Sequence, residues 1–181
     1  MARNKKIIVL VGASGSGKTT VGNELTKHGI VKLVTTTTRP PREDEVEGID
    51  YYFIGKADLD PHHFLEVTCY NGYHYGLSLK EIKSALDKHE LVHLAMDKNG
   101  AKAMKTEYPD QCLVIFFIIS EEEMIRRMKM RGDCQEAIEE RVIYRHMTNE
   151  EARPEDADFV IENNDLDQTV QQILDFIDKN K

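Results

Sequence analysis

Ile7-Ile8-Val9-Leu10-Val11 runs directly into Gly12-Ala13-Ser14-Gly15-Ser16-Gly17-Lys18-Thr19, with Thr20 next. The second stretch is G-x-x-x-x-G-K-T, the spacing of a phosphate-binding loop between a buried strand and a helix. Its glycines let successive backbone N–H groups turn into one concavity that holds phosphate oxygens. Residues Gly12 to Thr20 are therefore expected to bind the phosphates of a nucleotide triphosphate. Lys18 has the reach to meet the β- and γ-phosphates, and the Thr19 hydroxyl is a ligand for Mg2+. A helix starting near Lys18 adds the positive end of its dipole.

Working outward, continuous apolar runs at Lys6–Val11, Leu91–Ala95, Cys112–Ile119 and Phe159–Glu162 read as parallel strands covered on both faces, with a weaker signal at Val31–Thr35. Helical patterns lie between them: Lys18–Lys27, Leu79–Lys88 after Ser78, Ala101–Glu107, Glu121–Met130 after Ser120, Glu136–Glu151 and Asp167–Asp178. Glu123 stands in capping-box position to Ser120. Strand–helix alternation opening on a phosphate loop predicts an α/β fold, a three-layer sandwich with a parallel central sheet. Residues 35–78 break the rhythm with Thr, Pro, Tyr and Gly and predict a small mixed β insert. Residues 126–145, dense in arginine, break it as well. The core is expected at 1–34, 79–125 and 149–181, all within one domain.

The 181 residues suffice for a sizeable core, and their net charge of −8 argues against a nucleic-acid partner, which needs a basic face. No apolar run is long enough for a membrane span, and no targeting segment is apparent, so a cytoplasmic protein is expected. An oligomer is compatible with the sequence but not indicated. Cys69, Cys112 and Cys134 are odd in number and widely spaced, which points to reduced thiols rather than a disulfide framework or zinc site. His62, His63 and His93 lack metal-ligand spacing. Met124, Met128 and Met130 read as helix packing. The cluster Glu43-Asp44-Glu45 reads as a solvated loop. Arg126, Arg127, Lys129 and Arg145 fit anion contacts or a solvated face equally well.

In the insert, Arg39-Pro40-Pro41-Arg42 sets two guanidinium forks on a stiffened backbone, a pattern suited to one phosphate. Tyrosines hydrogen-bond a phosphate or stack on a base. A carboxylate such as Glu66 accepts from a base edge with paired N–H donors, as guanine has. Taken singly, each of these is as consistent with an ordinary surface turn.

Together they resemble the guanylate kinase family. Thr37 to Phe53 follows T-T-R-x-x-R-x-x-E-x-x-G-x-x-Y-x-F. Phe64-Leu65-Glu66, Gly72-Tyr73-His74-Tyr75-Gly76, Asp97-Lys98-Asn99-Gly100-Ala101, Arg131-Gly132, Arg141 and Val160-Ile161-Glu162-Asn163-Asn164-Asp165-Leu166 then match in order, over nearly the whole chain. The resemblance implies transfer of the γ-phosphoryl of ATP to GMP, giving ADP and GDP, with Mg2+. It implies that Thr35, Arg39, Arg42, Tyr51 and Tyr75 hold the GMP phosphate and that Glu66 reads guanine, with Asp97 near the base and the metal-bound phosphates. Lys18, Arg131 and Arg141 would act on the transferring group, and Asn163 would touch adenine. By the same resemblance residues 126–148 would form a helical lid.

Three positions and one connection depart from the pattern. Leu77 stands where a hydroxyl donor to the guanine carbonyl is usual, and Ala95 where an acidic residue is. The Phe53–Phe64 connection is short, and Asp133 replaces the threonine of R-G-T. Leu77 and Ala95 motivate an alternative, a related kinase with a shifted acceptor, another purine monophosphate or a phosphosugar. A non-catalytic guanylate-kinase-like interaction module is less favoured, because such modules commonly degrade the phosphate loop and this chain keeps Lys18 and Thr19.

Overall fold

Alternate residues of the first strand, β1 (Lys6–Gly12), enter different halves of the core, because helices cover both sides of the sheet it centres. In the computed structural model, which describes residues 5–13, 15–43, 45–70, 72–149 and 151–181, five strands form this sheet. The others are β2 (Val31–Lys32), β7 (Leu91–Ala95), β8 (Cys112–Ile118) and β9 (Phe159–Glu162). Their order is β2-β7-β1-β8-β9 and every pairing is parallel.

Ile7, Val9 and Val11 pack with Ile82 and Leu86 of α2 (Leu79–Lys88) and Ala101 and Met104 of α3 (Lys98–Glu107). Ile8 and Leu10 pack with Val21 and Leu25 of α1 (Lys18–Lys27) and Val170, Ile173 and Ile177 of α6 (Leu166–Lys179). The fold is thus an α/β three-layer sandwich. The chain leaves β1 through α1 on one face and joins β7 to β8 through α3 on the other. The carboxyl end of β1 is therefore the switch point where such sheets open a crevice, and the phosphate loop lies there.

A second sheet orders its strands β4-β3-β6-β5, from β3 (Thr36–Thr37), β4 (Tyr52–Phe53), β5 (Phe64–Tyr70) and β6 (Tyr73–Ser78). β3 and β4 run parallel and the remaining pairs antiparallel, so the sheet is mixed. Glu81 of α2 ties it to the core, its two oxygens accepting from Val34 N at 3.1 Å and the Tyr52 hydroxyl at 3.2 Å. The short connection from Phe53 to Phe64 holds two 3-10 turns, Lys56–Asp58 and Pro61–His63, and no α-helix.

A third apolar cluster lies between α4 (Glu121–Arg131) and α5 (Gln135–Thr148). It joins Met124, Met128 and Ile138 to Ile119 and to Ala13 of the phosphate loop.

The structure redraws several boundaries. The weak strand expected to Thr35 stops at Lys32, and Thr36–Thr37 joins the second sheet instead. α3 starts at Lys98 rather than Ala101, because the Asp97 side chain caps Gly100 N at 2.8 Å and offsets the poor helix propensity of Asn99-Gly100. α5 stops at Thr148, where Asn149 turns left-handed at φ 50°. Ser78 and Ser120 cap as expected. The Glu123 carboxylate, however, does not close a capping box but binds Arg126 and Arg127, one turn on. Met124 and Met128 are core, whereas Met130, off their i, i+4 line, is exposed.

His93 is a buried polar residue of β7 facing α1. Its Nε2 pairs with the Thr26 hydroxyl at 2.8 Å. Gly22 makes room for the ring, since a Cβ there would stand 3.1 Å from Cε1. Burial, aided by the nearby Lys32 charge, pushes its pKa down to about 4 from 6.5. The unfolded chain therefore binds a proton between those values that the native state refuses. Stability from this site is complete above pH 6.5 and is lost as pH falls toward 4, by up to about 3 kcal/mol. Urea unfolding from pH 7 to 4.5 should show a shallower loss for His93→Gln than for the parent chain.

Candidate active site

A helix can begin at Lys18 only because Gly17 turns left-handed, at φ 92°. A Cβ on Gly17 would lie 2.0 Å from Asn163 Nδ2, so the backbone there lies directly against the segment after β9. Asn163 Nδ2 donates to Ser16 O at 3.2 Å. Arg127 of α4 completes the junction, donating to Gly15 O at 3.1 Å and to Asn163 O at 2.7 Å while pairing with Glu123 at 2.6 Å. Arg127, for which the sequence leaves open both an anion contact and a solvated face, instead ties the phosphate loop to its neighbours while lining the cleft beside it. Ser14 lies outside the described residues.

Lys18 lies across the mouth of the loop, its Nζ donating to Ala13 O at 2.8 Å and to Gly12 O. Three clefts meet at this side chain. One, of about 460 Å³, is lined by Gly15, Gly17, Lys18, Thr19, Thr20, Arg127, Arg131 and Asn163 among others. A second, of about 500 Å³, runs from Gly12 and Lys18 past Ala95, Asp97 and Lys98 to Arg141 and Tyr144 on α5. A third, of about 270 Å³, reaches from Lys18 and Thr19 to Thr35 and Tyr51 of the insert. Thr19 and Thr20 are exposed, and Thr19 opens to two of the three.

A further cleft of about 330 Å³ shares Ala95, Met96, Asp97, Arg141 and Tyr144 with the second and adds Thr35, Tyr51, Glu66, Thr68, Tyr75 and Leu77. Here the insert faces the core. Glu66 is half-buried, and its Oε2 accepts from the Thr68 hydroxyl at 2.8 Å. Burial raises its pKa; the Thr68 bond opposes this and the charge of Asp97 adds to it. Gly100 lets α3 approach, since a Cβ there would stand 2.7 Å from Met96 Cε and 3.1 Å from Glu66 Oε1. Asp97 spends one oxygen on its cap and lines both clefts.

Arg39 and Arg42 are not among the side chains lining these clefts. Arg39 lies over the Tyr51 ring, 5.6 Å from its centroid, at the edge of the insert cleft. It donates to Glu45 Oε1 at 2.7 Å, and Glu45 Oε2 accepts from Arg42 N at 2.8 Å. The Glu45 hydrogen bond holds the Arg39 pKa well above its ordinary value. Glu45 is therefore a shielded partner, not part of a solvated loop; Asp44 lies outside the described residues. The Arg42 side chain is exposed.

Of the arginine-rich stretch, Arg131 lines the cleft beside Thr19, and Arg141 lines the two clefts containing Asp97, stacked 4.9 Å from the Tyr144 ring centroid. Arg126 pairs with Glu123 on the surface. Arg145 is only 3% exposed and donates to Ile119 O and to Glu151 Oε2, each at 2.9 Å. It anchors α5 to the end of β8 and is structural.

Sequence reasoning passed over Thr68 and Tyr144. Both had a local signal: Thr68 shares a strand face with Glu66, two residues away, and Tyr144 follows Arg141 at helical i, i+3 spacing. Leu77 lines the insert cleft yet is only 1% exposed and packed into the core. The neighbouring Ser78 hydroxyl is occupied in capping α2. Among the described residues no group of three or more His, Cys, Asp or Glu side chains is placed to hold a metal, and no helix is long and apolar enough to cross a membrane.

A phosphate loop at the switch point of a parallel sheet, with Arg131, Arg141 and Asp97 lining the clefts that meet at its lysine, defines a phosphate-loop kinase. A shikimate kinase from Acinetobacter baumannii superposes at a TM-score of 0.54 with 20% identity over 99% of this chain and 96% of its own, which shows the fold. The profile of the guanylate kinase family matches residues 4–180, and the chain belongs to that family. A guanylate kinase of Prochlorococcus marinus subsp. pastoris is 35% identical over 184 residues, 98% of this chain and 99% of its own. One of Wolinella succinogenes is 36% identical over 183 residues, 96% and 84% of the two chains. The crystal structure of guanylate kinase from Anaplasma phagocytophilum aligns with a TM-score of 0.72 at 26% identity, over 99% of this chain and 87% of that one.

The anchoring role of Arg145 has a measurable consequence. Arg145→Leu leaves Ile119 O without its donor and should cost about 1–3 kcal/mol in chemical denaturation. The KM values of the folded fraction for both nucleotides should stay within twofold of the parent.

Proposed function

We propose that Lys18, Arg131 and Arg141 carry the transfer of the γ-phosphoryl of ATP to GMP, with ATP on the Gly15–Thr20 and Asn163 side and GMP between the insert and α3. The chain is an enzyme, an ATP-dependent nucleoside-monophosphate kinase of the guanylate kinase type. The observation that supports these assignments most is the position of Lys18, where the cleft of the phosphate loop meets the two that lead to Asp97 and Tyr51. Phosphoryl transfer asks a protein chiefly for positioning and for positive charge where negative charge develops. Lys18 and the arginines supply that charge without a protein nucleophile.

On the acceptor side, Glu66, steadied by Thr68, presents a carboxylate to the paired N–H donors of guanine. Asp97 adds a second acceptor, and Thr35, Tyr51 and Tyr75 line the way to Arg39 and Arg42, which take the phosphate. In this reading residues 35–78 are the GMP-binding insert and residues 126–148 the lid. Mg2+ fits the donor set: the exposed Thr19 hydroxyl is a hard oxygen beside Lys18, and this cation keeps most of its shell as phosphate oxygens and water. Bound with ATP through Thr19, it would neutralise phosphate charge. We place the protein in the cytoplasm, a reading supported by its three free thiols.

An ADP-release assay with ATP–Mg and a panel of monophosphates tests the assignment. GMP should be the preferred acceptor, and Lys18→Ala should lower turnover by orders of magnitude with its unfolding transition retained; unchanged turnover would overturn it. Glu66→Gln should impair GMP use more than ATP use, because it turns a donor toward a guanine N–H.

The Leu77 position separates stability from specificity. Leu77→Ser empties a packed site and should destabilise by about 2–4 kcal/mol. Per folded molecule it should raise kcat/KM for GMP by the worth of one hydrogen bond, ~0.5–1.5 kcal/mol. If AMP outranks GMP in the parent chain and this variant does not restore the order, the guanine assignment fails.

A further inference from the structure

Gly132, at φ 91°, ends α4 in a left-handed turn that folds the chain back on itself, with Gly132 N bonded to Lys129 O and Asp133 N to Met128 O. That turn sets the Asp133 carboxylate against the guanidinium of Arg131, only two residues earlier. Arg131 Nε donates to Asp133 Oδ1 at 3.1 Å, and Arg131 Nη2 donates to Asp133 Oδ2. The fork is thus engaged by two carboxylate oxygens, much as it would engage a phosphate. Asp133 is the more shielded partner and Arg131 the more open one. Arg131, unlike Asp133, is among the side chains lining the cleft of Gly15, Lys18 and Thr19.

We propose that Asp133 is a positioning residue that acts through Arg131: an internal anion that occupies the Arg131 fork in the free enzyme and must yield it when the phosphates of ATP arrive. The proposal rests on the assignment of Arg131 to the ATP side. Both anions require the same two N–H groups, so the carboxylate competes with the nucleotide and weakens its binding. An exposed ion pair is worth little, so the competition is modest and the swap reversible. The threonine usual at this place in the family has no charge with which to hold the fork. The chain therefore trades ATP affinity for an arginine that never stands without an anion.

Steady-state kinetics of Asp133→Asn and Asp133→Thr, varying ATP and GMP separately, test this. The KM for ATP should fall about three- to fivefold and the KM for GMP should not move. A raised KM for ATP would mean that Asp133 orients Arg131 productively, and it overturns the competition. Unchanged KM values with a shifted Tm would mean a purely structural pair, and they overturn it too. Arg131→Ala separates this failure from failure of the underlying assignment. It should raise the KM for ATP or lower kcat, and in that background Asp133→Asn should have no further effect on ATP. If Arg131→Ala changes neither constant, the placement of Arg131 is wrong. If it impairs ATP use while Asp133→Asn leaves the parent's KM unchanged, only the proposal about Asp133 fails.

Discussion

No side chain fits at Gly17. Its φ of 92° is one that L-residues avoid, and the space a Cβ would need belongs to Asn163. Gly12 is similarly confined, 2.6 Å from Phe117 O at the position its Cβ would take. These two close approaches fix where β1 stops and α1 starts, and hence where Lys18 stands. Because β1 is the central strand, the turn between them opens at the point where α1 and α3 diverge to opposite faces. Every other part of the site, including Asn163, Arg127, Asp97 and the insert, is arranged around that turn.

An acidic chain that must bind two anionic nucleotides faces a field problem, since net charge of −8 opposes the approach of either. The structure answers locally. Arg39 is held by Glu45, Arg127 by Glu123 and Arg131 by Asp133, so these guanidiniums are ordered by a carboxylate before any substrate arrives. The pairs differ in kind. Arg39 and Glu45 are mutually shielded and Glu45 also fixes the Arg42 backbone, so that carboxylate belongs to the scaffold of the loop. Arg127 is bound to two backbone carbonyls besides its carboxylate and acts as a strut. Arg131 is held by the carboxylate of Asp133 and lines the cleft beside Thr19. Its pairing is the one a ligand can replace.

What the sequence disclosed follows the range of the interactions involved. The phosphate loop, the apolar runs of the sheet and the serine caps depend on residues within eight positions along the chain, and all were legible. The arrangement of Arg127 was not, because its carbonyl partners lie 112 and 36 residues away. Arg131 and Asp133 were visible as neighbours, but their pairing needs the left-handed turn at Gly132, which spacing alone does not reveal. Leu77 was readable as a departure from the family pattern; its simultaneous burial in the core of α2 and β1 was not, since alternation along β6 does not say which side chains reach past the sheet. The start of α3 was misplaced because a strong cap at Asp97 outweighs a weak Asn-Gly first turn.

The apolar cluster that includes Ala13 constrains how the arginine-rich stretch can move. Met124 and Met128 of α4 and Ile138 of α5 share one core with the phosphate loop, and Arg145 fastens the far end of α5 to Ile119 O. Separating these contacts would expose buried methionine and isoleucine side chains at about 1.5–3 kcal/mol apiece. Between them, over residues 129–137, Met130 is exposed and Gly132 turns the chain. Arg141 lies beyond Ile138, on the anchored part of α5, and lines the insert cleft. Arg131 lies within that span, paired with Asp133. The two arginines are thus held differently: Arg141 lies between the buried Ile138 and the buried Arg145, whereas Arg131 lies at an exposed turn between the buried Met128 and Ile138.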